Sequence, residues 1–570
     1  MDFRQQLDDL RASAGHVDEP TRLRTFFDTT WARELAEAPE MATFYGIRGH
    51  DHRWSELTVA AVSRRVDERR EALAVLDTIE PSALSEQERL SVDLFRTMEQ
   101  GEVEGAAFQG ELQPVNQLQG VQQDPAMVLE AQPAETAEDG GALLERLRSL
   151  PQLVEQTIEL MRLGAVAGNT PPQICLRDVP QQVRNQLSAD PFDSPLLRTV
   201  GTIDDGALKG AAAEVYRRGI VPAFERLHDY LVEDYLPAAR TTTACRDLPN
   251  GEAWYRYLVR HHTTTDLSPE EIHETGLAEV ARIKAEMAAA AQTAGAADLA
   301  TYALHLRTDP RYACASADQL LEGYRAIGRH IDARLPDLFA TLPKLAYEIV
   351  PVPSYAEQSQ TAAYYLPGAP DGSRPGQFFA NTYDLASRFT WEMESLTLHE
   401  AVPGHHLQIA LAQELGDLPD FRRNAWFTAY GEGWGLYAES LGSELGLYAS
   451  PAARYGALMG EIWRAVRLVL DTGLHAFGWT RDRAIAYFQE ATGRDDHDIV
   501  VEVDRYIVWP GQALGYKMGE LKIKELRARA AGALGAGFDV RAFHEEVLRH
   551  GCLPLALLEA KVNARLAASR

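Results

Sequence analysis

The stretch SLTLHEAVPGHHLQIAL, Ser395–Leu411, brings several ionisable side chains together in an otherwise apolar segment. His399 and Glu400 are adjacent, and the pair His405 and His406 follows after a Pro-Gly step. Apolar residues on both sides predict that the segment is helical and buried. The pattern is close to His-Glu-x-x-His, in which two histidines one helical turn apart bind zinc and the glutamate activates a water.

The spacing of these histidines does not fit a regular helix. At about 100° per residue, an offset of six turns His405 about 240° away from His399, and an offset of seven puts His406 about 10.5 Å along the axis. Pro403 cannot donate to the carbonyl of His399, and Gly404 relaxes the backbone, so we expect a bulge of two residues. The bulge would place His405 in the second ligand position, with His406 as the alternative.

A third ligand is predicted from WFTAYGEGWGLYAESLG, Trp426–Gly442. Glu432 and Glu439 are seven residues apart and therefore share one face of a helix. The glycines at 431, 433 and 435 are each less favourable than alanine by up to about 1 kcal/mol, unless a neighbour must approach the backbone closely. A packed helix that carries the metal is one such neighbour. A close helix crossing with a solvated glutamate is the alternative.

The composition is that of an ordinary globular protein. The chain has 570 residues, of which 45% are hydrophobic and 24% charged, and its formal net charge is -27. This acidity argues against nucleic acid or an anionic membrane as a partner. No apolar run is long enough to span a bilayer, and the charged start MDFRQQLDDLRASAG differs from a secretory signal, so we expect a cytoplasmic location. The 4 cysteines lie far apart, which predicts reduced thiols.

Apolar residues recur at intervals of three and four along most of the chain, which predicts a mostly α fold. We place a helical N-terminal lobe at 1–260 and a catalytic helical lobe at 261–570, with the helices of the zinc site at about 389–448. Ser268, Pro269 and Glu271 form a predicted capping box, from which a helix should run to about residue 293.

The segment at about 347–384 differs from the rest because it is rich in proline, glycine and aromatic residues. Short alternating runs surround the turn PDGSRPG, which predicts a small β-sheet inserted before the zinc helix.

Four motifs carry a resemblance to a known family: TLHEAVPGHHLQ, EGWGLYAE, TTTDLSPEEIHETGL and RYIVWPGQALGYKMG. They resemble the bacterial family called domain of unknown function 885 (DUF885), which is grouped with the gluzincin metallopeptidases, relatives of neurolysin-like and carboxypeptidase Taq-like enzymes. The resemblance implies a mostly helical fold in two lobes with a zinc site in a deep central cleft. It also implies His399, His405 and Glu432 as ligands of Zn²⁺ and Glu400 as the general base.

A donor for the oxyanion is expected in DRYIVWPGQALGYKMGELKIKEL. Gluzincins commonly use tyrosine or histidine there, and we favour Tyr516, followed by Tyr506 and Arg505. The alternative is that both tyrosines are packing residues beside an exposed Lys517.

Supporting roles are predicted for three further residues. Glu439 is a candidate acceptor that holds a ligand imidazole in its tautomer, and His406 is a candidate for a similar supporting position. Asn381, in the strand candidate GQFFANTYD, is a candidate substrate contact, since by analogy with gluzincins this strand would pair with an extended peptide. A plain edge strand is the alternative.

These observations favour a zinc-dependent peptidase that acts on short peptides, because a site sunk between helical lobes would exclude folded proteins. A zinc-dependent hydrolase of a non-peptide amide or ester uses the same machinery and is the first alternative. A non-catalytic helical binding protein is the second alternative, and the adjacent pair His399 and Glu400 argues against it.

Overall fold

Helices make up most of the structure, as the periodicity predicts. The computed structural model describes residues 2–354, 357, 360–494 and 497–568, of which 69% are helical and 3% are in strands. The prediction of a mostly α fold with one small sheet is confirmed. Among the described helices, none combines the length and the apolar character that crossing a bilayer would require.

The chain divides into two compact units. The first contains Met1–Thr242, Leu248–Asn250 and Pro419–Phe421. Its helices are α1 Phe3–Ala12, α2 Glu19–Glu37, α3 Pro39–Phe44, α4 Val59–Leu76, α5 Glu86–Gly105, α6 Asp124–Ala131, α7 Ala137–Ala167, α8 Gln173–Leu176, α9 Val179–Asn185, α10 Arg198–Thr202, α11 Gly206–Val215, α12 Val221–Tyr230 and α13 Leu236–Ala238. Its core is built on α7, α11 and α12 around fully buried residues such as Leu147 and Phe224.

The second unit contains Thr243–Asp247, Gly251–Leu418 and Arg422–Arg570. Its helices are α14 Gly251–Thr263, α15 Pro269–Thr293, α16 Leu299–Thr308, α17 Ala317–Asp332, α18 Leu335–Leu338, α19 Met393–Glu400, α20 His405–Gln413, α21 Asp420–Arg423, which includes residues of both units, α22 Thr428–Ser440, α23 Pro451–His475, α24 Arg481–Thr492, α25 His497–Val508, α26 Leu514–Leu534, α27 Val540–Leu548 and α28 Leu555–Ala568. Long pairs organise this unit, with α15 packed along α23 and α22 along α26.

The division between the units falls earlier than residue 260. Helix α14 runs without a break through that position and belongs to the second unit. The hydroxyl of Tyr255 donates to Oδ1 of Asp471 on α23 at 2.6 Å, and both side chains are buried. Because this buried hydrogen bond holds α14 to α23, the change of unit occurs in the connection before α14.

The predicted start and end of α15 are confirmed. Oγ of Ser268 accepts from the backbone N–H of Glu271, and the carboxylate of Glu271 accepts from the N–H of Ser268, so the capping box is complete. Pro269 occupies the first turn, and the helix ends at Thr293. These local contacts satisfy backbone donors that have no partner inside the helix, which is why the sequence alone located this helix.

The small sheet has three strands, β1 Tyr347–Pro351, β2 Ala363–Leu366 and β3 Gly376–Ala380, in the order β1-β3-β2. Strand β3 is parallel to β1, with Ile349 opposite Phe378, and antiparallel to β2, with Tyr365 opposite Phe378. Both edges of β3 are therefore paired. The prediction that GQFFANTYD adds a peptide strand is wrong, because its central position leaves it no free edge.

The crossing of α22 and α26 depends on two glycines that face each other. A Cβ on Gly433 would lie 2.4 Å from Cα of Gly519, and a Cβ on Gly519 would lie 1.7 Å from the carbonyl oxygen of Ala429. The two backbones are thus in direct contact, and α22 brings Glu432 to the site from this position.

We expect Gly433→Ala to lower the free energy of unfolding by about 1–3 kcal/mol or more, because the added methyl group has no room between the helices. Gly532→Ala on α26 is the matched control, since no atom lies within 4 Å of a Cβ there. Urea denaturation followed by circular dichroism measures both variants. Equal midpoints for the two variants would contradict the tight crossing.

Candidate metal centre

The segment between His399 and His405 interrupts the helix. Helix α19 ends at Glu400 and α20 begins at His405, with four turn residues between them, so the prediction of a bulge within one continuous helix is wrong. Pro403 has no N–H to continue the ladder, and Ala401 leaves the helical region at φ -96° and ψ -108°. The N–H of His406 then donates to the carbonyl of Ala401 at 3.1 Å and starts the new helix.

Contacts on both sides of the turn determine which residues it can contain. A Cβ on Gly404 would lie 1.9 Å from the carbonyl oxygen of His399, so only glycine fits. The carbonyl of Pro403 accepts a hydrogen bond from Nε1 of the buried Trp434 at 2.8 Å. Because Trp434 lies on α22, this bond ties the turn to the helix that carries Glu432.

Three side chains converge at the turn: His399, His405 and Glu432. Oε2 of Glu432 lies 3.5 Å from Nε2 of His399 and 3.3 Å from Nε2 of His405. The candidate ligand atoms of the three residues all lie within 4.8 Å of one another, and both histidines are buried. The structure therefore brings together the three residues that the resemblance implies as ligands.

The position of His399 is determined by α22. A Cβ on Gly435 would lie 2.7 Å from Cε1 of the imidazole, so the ring rests directly on the helix backbone. Nδ1 of His399 is bonded to Oε1 of Glu439 at 2.8 Å, which leaves Nε2 facing Glu432. Glu439 is held in turn by the hydroxyl of Ser395 and by Arg464 at 3.2 Å. Glu439 thus contacts a candidate ligand imidazole, as predicted, and its role beside a metal stays a prediction.

The electrostatics of these buried groups favour their charged forms. Burial disfavours the imidazolium of His399, but the nearby carboxylates of Glu432 and Glu439 outweigh this effect and raise the pKa of His399 to about 9. Burial also opposes ionisation of Glu439, yet Arg464 and His399 hold the pKa of Glu439 below its ordinary value. The two carboxylates therefore create a site that attracts positive charge.

Glu400 is available for chemistry. It directly follows His399, and its side chain is buried with 7% of the residue exposed. Within the described part of the chain, its carboxylate makes no hydrogen bond or ion pair. A buried, unpaired carboxylate that directly follows a candidate ligand is a candidate acceptor for a proton of a bound water.

His406 points away from the cluster. Nδ1 is bonded to the hydroxyl of Tyr365 at 2.9 Å and Nε2 to the carbonyl of Leu345 at 3.0 Å, so neither nitrogen is free. Burial lowers the pKa of His406 to about 4 and keeps the ring neutral. This geometry argues for a role in anchoring the sheet rather than the predicted place beside the ligands. By contrast, Nδ1 of His405 is buried without a partner in the described residues.

Tyr516 is the donor candidate that faces the cluster. Its ring is nearly parallel to that of His399, with centroids 6.3 Å apart and an interplanar angle of 15°. Nη2 of Arg505 donates to the hydroxyl oxygen at 2.9 Å, and Cζ of Arg467 lies 4.2 Å from the ring centroid. In the described residues no acceptor takes the hydroxyl proton of Tyr516, so that proton is available to a ligand.

The hydroxyl proton of Tyr506, unlike that of Tyr516, is already bonded within the protein. Its hydroxyl donates to Oε2 of Glu502 at 2.6 Å and accepts from Nε of Arg467 at 3.1 Å. Both hydrogen-bonding capacities are used inside the core, where Tyr506 is 1% exposed. This arrangement argues for a packing role for Tyr506, whereas Arg505 acts on Tyr516.

Asn381 is buried, and its side chain is hydrogen-bonded to backbone groups. Its side-chain amide lies 2.8 Å from the carbonyl of Glu357, 3.1 Å from that of Gln360 and 3.1 Å from that of Thr361, and it donates to these oxygens. Its Oδ1 accepts from the N–H of Tyr383 at 3.0 Å. This geometry argues for holding the loop rather than the predicted contact with a substrate.

Sequence reasoning missed the residues that contact the candidate ligands and their neighbours. Ser395 lies one turn before His399, which is a signal that helical periodicity could have used. Arg464 and Arg467 come from α23, and no local pattern connects that helix to the histidines. The alternative in which Lys517 is exposed is wrong, because its side chain is 0% exposed and pairs with Glu461 at 2.8 Å.

Comparison with known proteins places the chain in a family. The family described as "Bacterial protein of unknown function (DUF885)" matches residues 39–562. No curated protein matches the chain.

Two solved structures are similar. A protein from Colwellia psychrerythraea, described as a "putative lipoprotein", is 28% identical with a TM-score of 0.91 and covers 97% of this chain and 100% of its own. A protein from Shewanella oneidensis, described as a "putative lipoprotein of unknown function", is 18% identical with a TM-score of 0.74. The match covers 94% of this chain and 99% of that protein, and at this identity it shows a shared fold alone. With a family match over most of its length, this chain belongs to the bacterial family DUF885.

Proposed function

We propose that the protein is a zinc-dependent peptidase that hydrolyses short peptides. The observation that carries the proposal is the convergence of two imidazoles and one carboxylate, His399, His405 and Glu432, in a buried site. A pair of histidines with one glutamate is a common ligand set of catalytic zinc, whereas structural zinc sites are closed by four protein ligands.

The chemistry of the three candidate ligands fits a zinc ion. Oε2 of Glu432 is buried and has no hydrogen-bond partner in the described part of the chain, although two imidazoles lie within 3.5 Å of it. Burying such a carboxylate is unfavourable unless a cation compensates it. Glu439 also orients His399, as an outer carboxylate does for many metal-bound histidines. When bound, zinc supplies a Lewis acid to the carbonyl group and to the attacking water.

The remaining roles fall to residues of this chain. Glu400 takes the proton from the attacking water, since its carboxylate is unpaired and adjacent to a ligand. Tyr516 donates its hydroxyl proton in a hydrogen bond to the developing oxyanion, because Arg505 occupies the hydroxyl oxygen and leaves the proton free. Arg505 is a positioning residue in this scheme.

Short peptides are the proposed substrates because the resemblance to gluzincins implies a deep cleft. The cleft stays a prediction, as do the two lobes and the cytoplasmic location. In the described sheet β2 is an edge strand, and its Tyr365 is bonded to His406 next to a proposed ligand. The edge of β2, rather than β3, is therefore the strand on which an extended peptide could pair.

A glutamine in place of Glu400 tests the base. Glu400→Gln should lower kcat by about 10²–10⁴-fold or more, because it removes the proton acceptor, and it should retain zinc. Glu545→Gln is the matched control, since Glu545 follows His544 in a second His-Glu pair on α27. Turnover is measured on a library of short peptides with free and blocked ends. Unchanged turnover in Glu400→Gln would exclude this residue as the base.

The two adjacent histidines test the ligand assignment. His405→Ala should lose bound zinc, measured by elemental analysis of protein purified without chelators, because it removes one of three ligands. His406→Ala should keep most of its zinc, since both ring nitrogens of His406 have protein partners. The assignment fails if His406→Ala loses the metal and His405→Ala does not.

Two tyrosines test the oxyanion donor. Tyr516→Phe should reduce kcat by about 10²–10³-fold with little change in zinc content, as loss of one oxyanion donor does elsewhere. Tyr506→Phe should mainly lower stability, because its hydroxyl partners are Glu502 and Arg467. Steady-state kinetics and urea denaturation of both variants separate the two effects. A larger loss of kcat in Tyr506→Phe would reverse the assignment.

A further inference from the structure

A half-exposed tryptophan lies beside the candidate metal centre. Trp426 precedes α22 and is 44% exposed. Its indole lies next to His405, with ring centroids 5.9 Å apart and an interplanar angle of 56°. Its six-membered ring lies on α22 at Gly431, where a Cβ would be 2.2 Å from Cη2. One part of the indole is thus packed on the helix that carries Glu432, while the rest is open.

The backbone next to this indole is anchored. The N–H of Phe427 donates to Sγ of the buried Cys552 at 3.1 Å, and the carbonyl of Phe427 accepts from the N–H of Tyr430 at 3.0 Å. The residue directly after Trp426 is therefore anchored through both its N–H and its carbonyl. Trp426 thus precedes an anchored residue and does not lie at the tip of a free loop.

Core packing does not account for this arrangement. Glycine within a helix is less favourable than alanine, and the indole occupies the space that a Cβ at position 431 would take, so a larger residue there would displace the indole. Large aromatic side chains stabilise a fold through the area that they bury, yet Trp426 leaves 44% of its surface exposed. An exposed apolar surface beside a cluster of functional residues is typical of a ligand contact.

We propose that the open surface of Trp426 is a subsite that receives a large apolar side chain of the substrate next to the bond that is cut. The inference rests on the proposed peptidase function and specifies its substrate class. The indole presents an aromatic ring, and its neighbours include the imidazole of His405 and the backbone at Gly431. An exposed aromatic ring favours contact with apolar groups, so we expect the preference to be for apolar side chains.

Kinetics on a matched peptide series test the subsite. The probes are short alanine peptides that carry a single Phe, Leu, Lys or Glu, scanned across the positions. Trp426→Ala should raise KM for the Phe and Leu peptides about tenfold or more, with kcat changed by less than about threefold, and it should leave the Lys and Glu peptides unchanged. Trp426→Phe should retain most of the preference.

Phe477→Ala is the matched control. Phe477 is 38% exposed and packs on His273, with ring centroids 4.8 Å apart, and it takes no part in the site. Its removal should change none of the four peptides. An equal loss for all four peptides in Trp426→Ala, or a selective loss for the Lys peptide, would overturn the inference and leave the peptidase function standing.

Equilibrium binding separates this inference from the proposed function. Calorimetric titration of the same peptides into Glu400→Gln protein measures the subsite without turnover. In one outcome the wild type cleaves no peptide, yet Phe and Leu peptides bind the Glu400→Gln protein about tenfold more tightly than they bind the double variant Glu400→Gln, Trp426→Ala. In that case the subsite stands and the peptidase function fails. If Phe and Leu peptides bind no better than Lys and Glu peptides, the subsite is overturned.

Discussion

The imidazole of His399 rests on the backbone of α22, with Gly435 beneath its ring and Glu439 bonded to its Nδ1. This contact requires that α22 carry no side chain at 435, and it points Nε2 of His399 toward Glu432 on the same helix. One helix therefore supplies the surface that supports the first histidine, the carboxylate that orients it and the carboxylate that faces it. The remaining parts of the site are arranged around this contact.

The break in the helix at Pro403 also determines the geometry of the site. Because α19 stops at Glu400 and α20 starts at His405, two histidines that a straight helix would separate meet at one carboxylate. Trp434 on α22 takes the carbonyl that the break leaves free. The interruption is thus part of the contact between the helices, and the glycine after the proline is required by the close approach of the carbonyl of His399.

Buried and half-buried charges near the site form ion pairs. The ion pairs are Arg464 with Glu439, Arg467 with Glu502, and Lys517 with Glu461. Each pair joins residues of different helices. Buried charges are tolerated when they are paired and hydrogen-bonded, and removing one partner leaves the other uncompensated. These pairs connect the helices around α22 and hold Tyr516 between Arg467, Arg505 and His399.

Local rules were sufficient for several elements. Helical periodicity predicted the mostly α fold, the capping box at Ser268 located α15, and the proline-rich and glycine-rich segment marked the small sheet. These features depend on contacts between residues a few positions apart, which a sequence displays directly. Other features depend on residues about 10–30 positions away in the chain. These are the pairing of β3 on both edges and the hydrogen bonds from the amide of Asn381 to backbone carbonyls.

The sequence by itself determined which residue types could meet at the site: two histidines separated by Pro-Gly, a glutamate next to the first, and a glutamate set among glycines. The tertiary structure decided which of them meet. His405 faces Glu432 while His406 is bonded to Tyr365 and Leu345, although the two histidines are neighbours in sequence. Adjacent side chains on a helix point about 100° apart, so the packed surroundings, not the spacing, determine which one reaches the site.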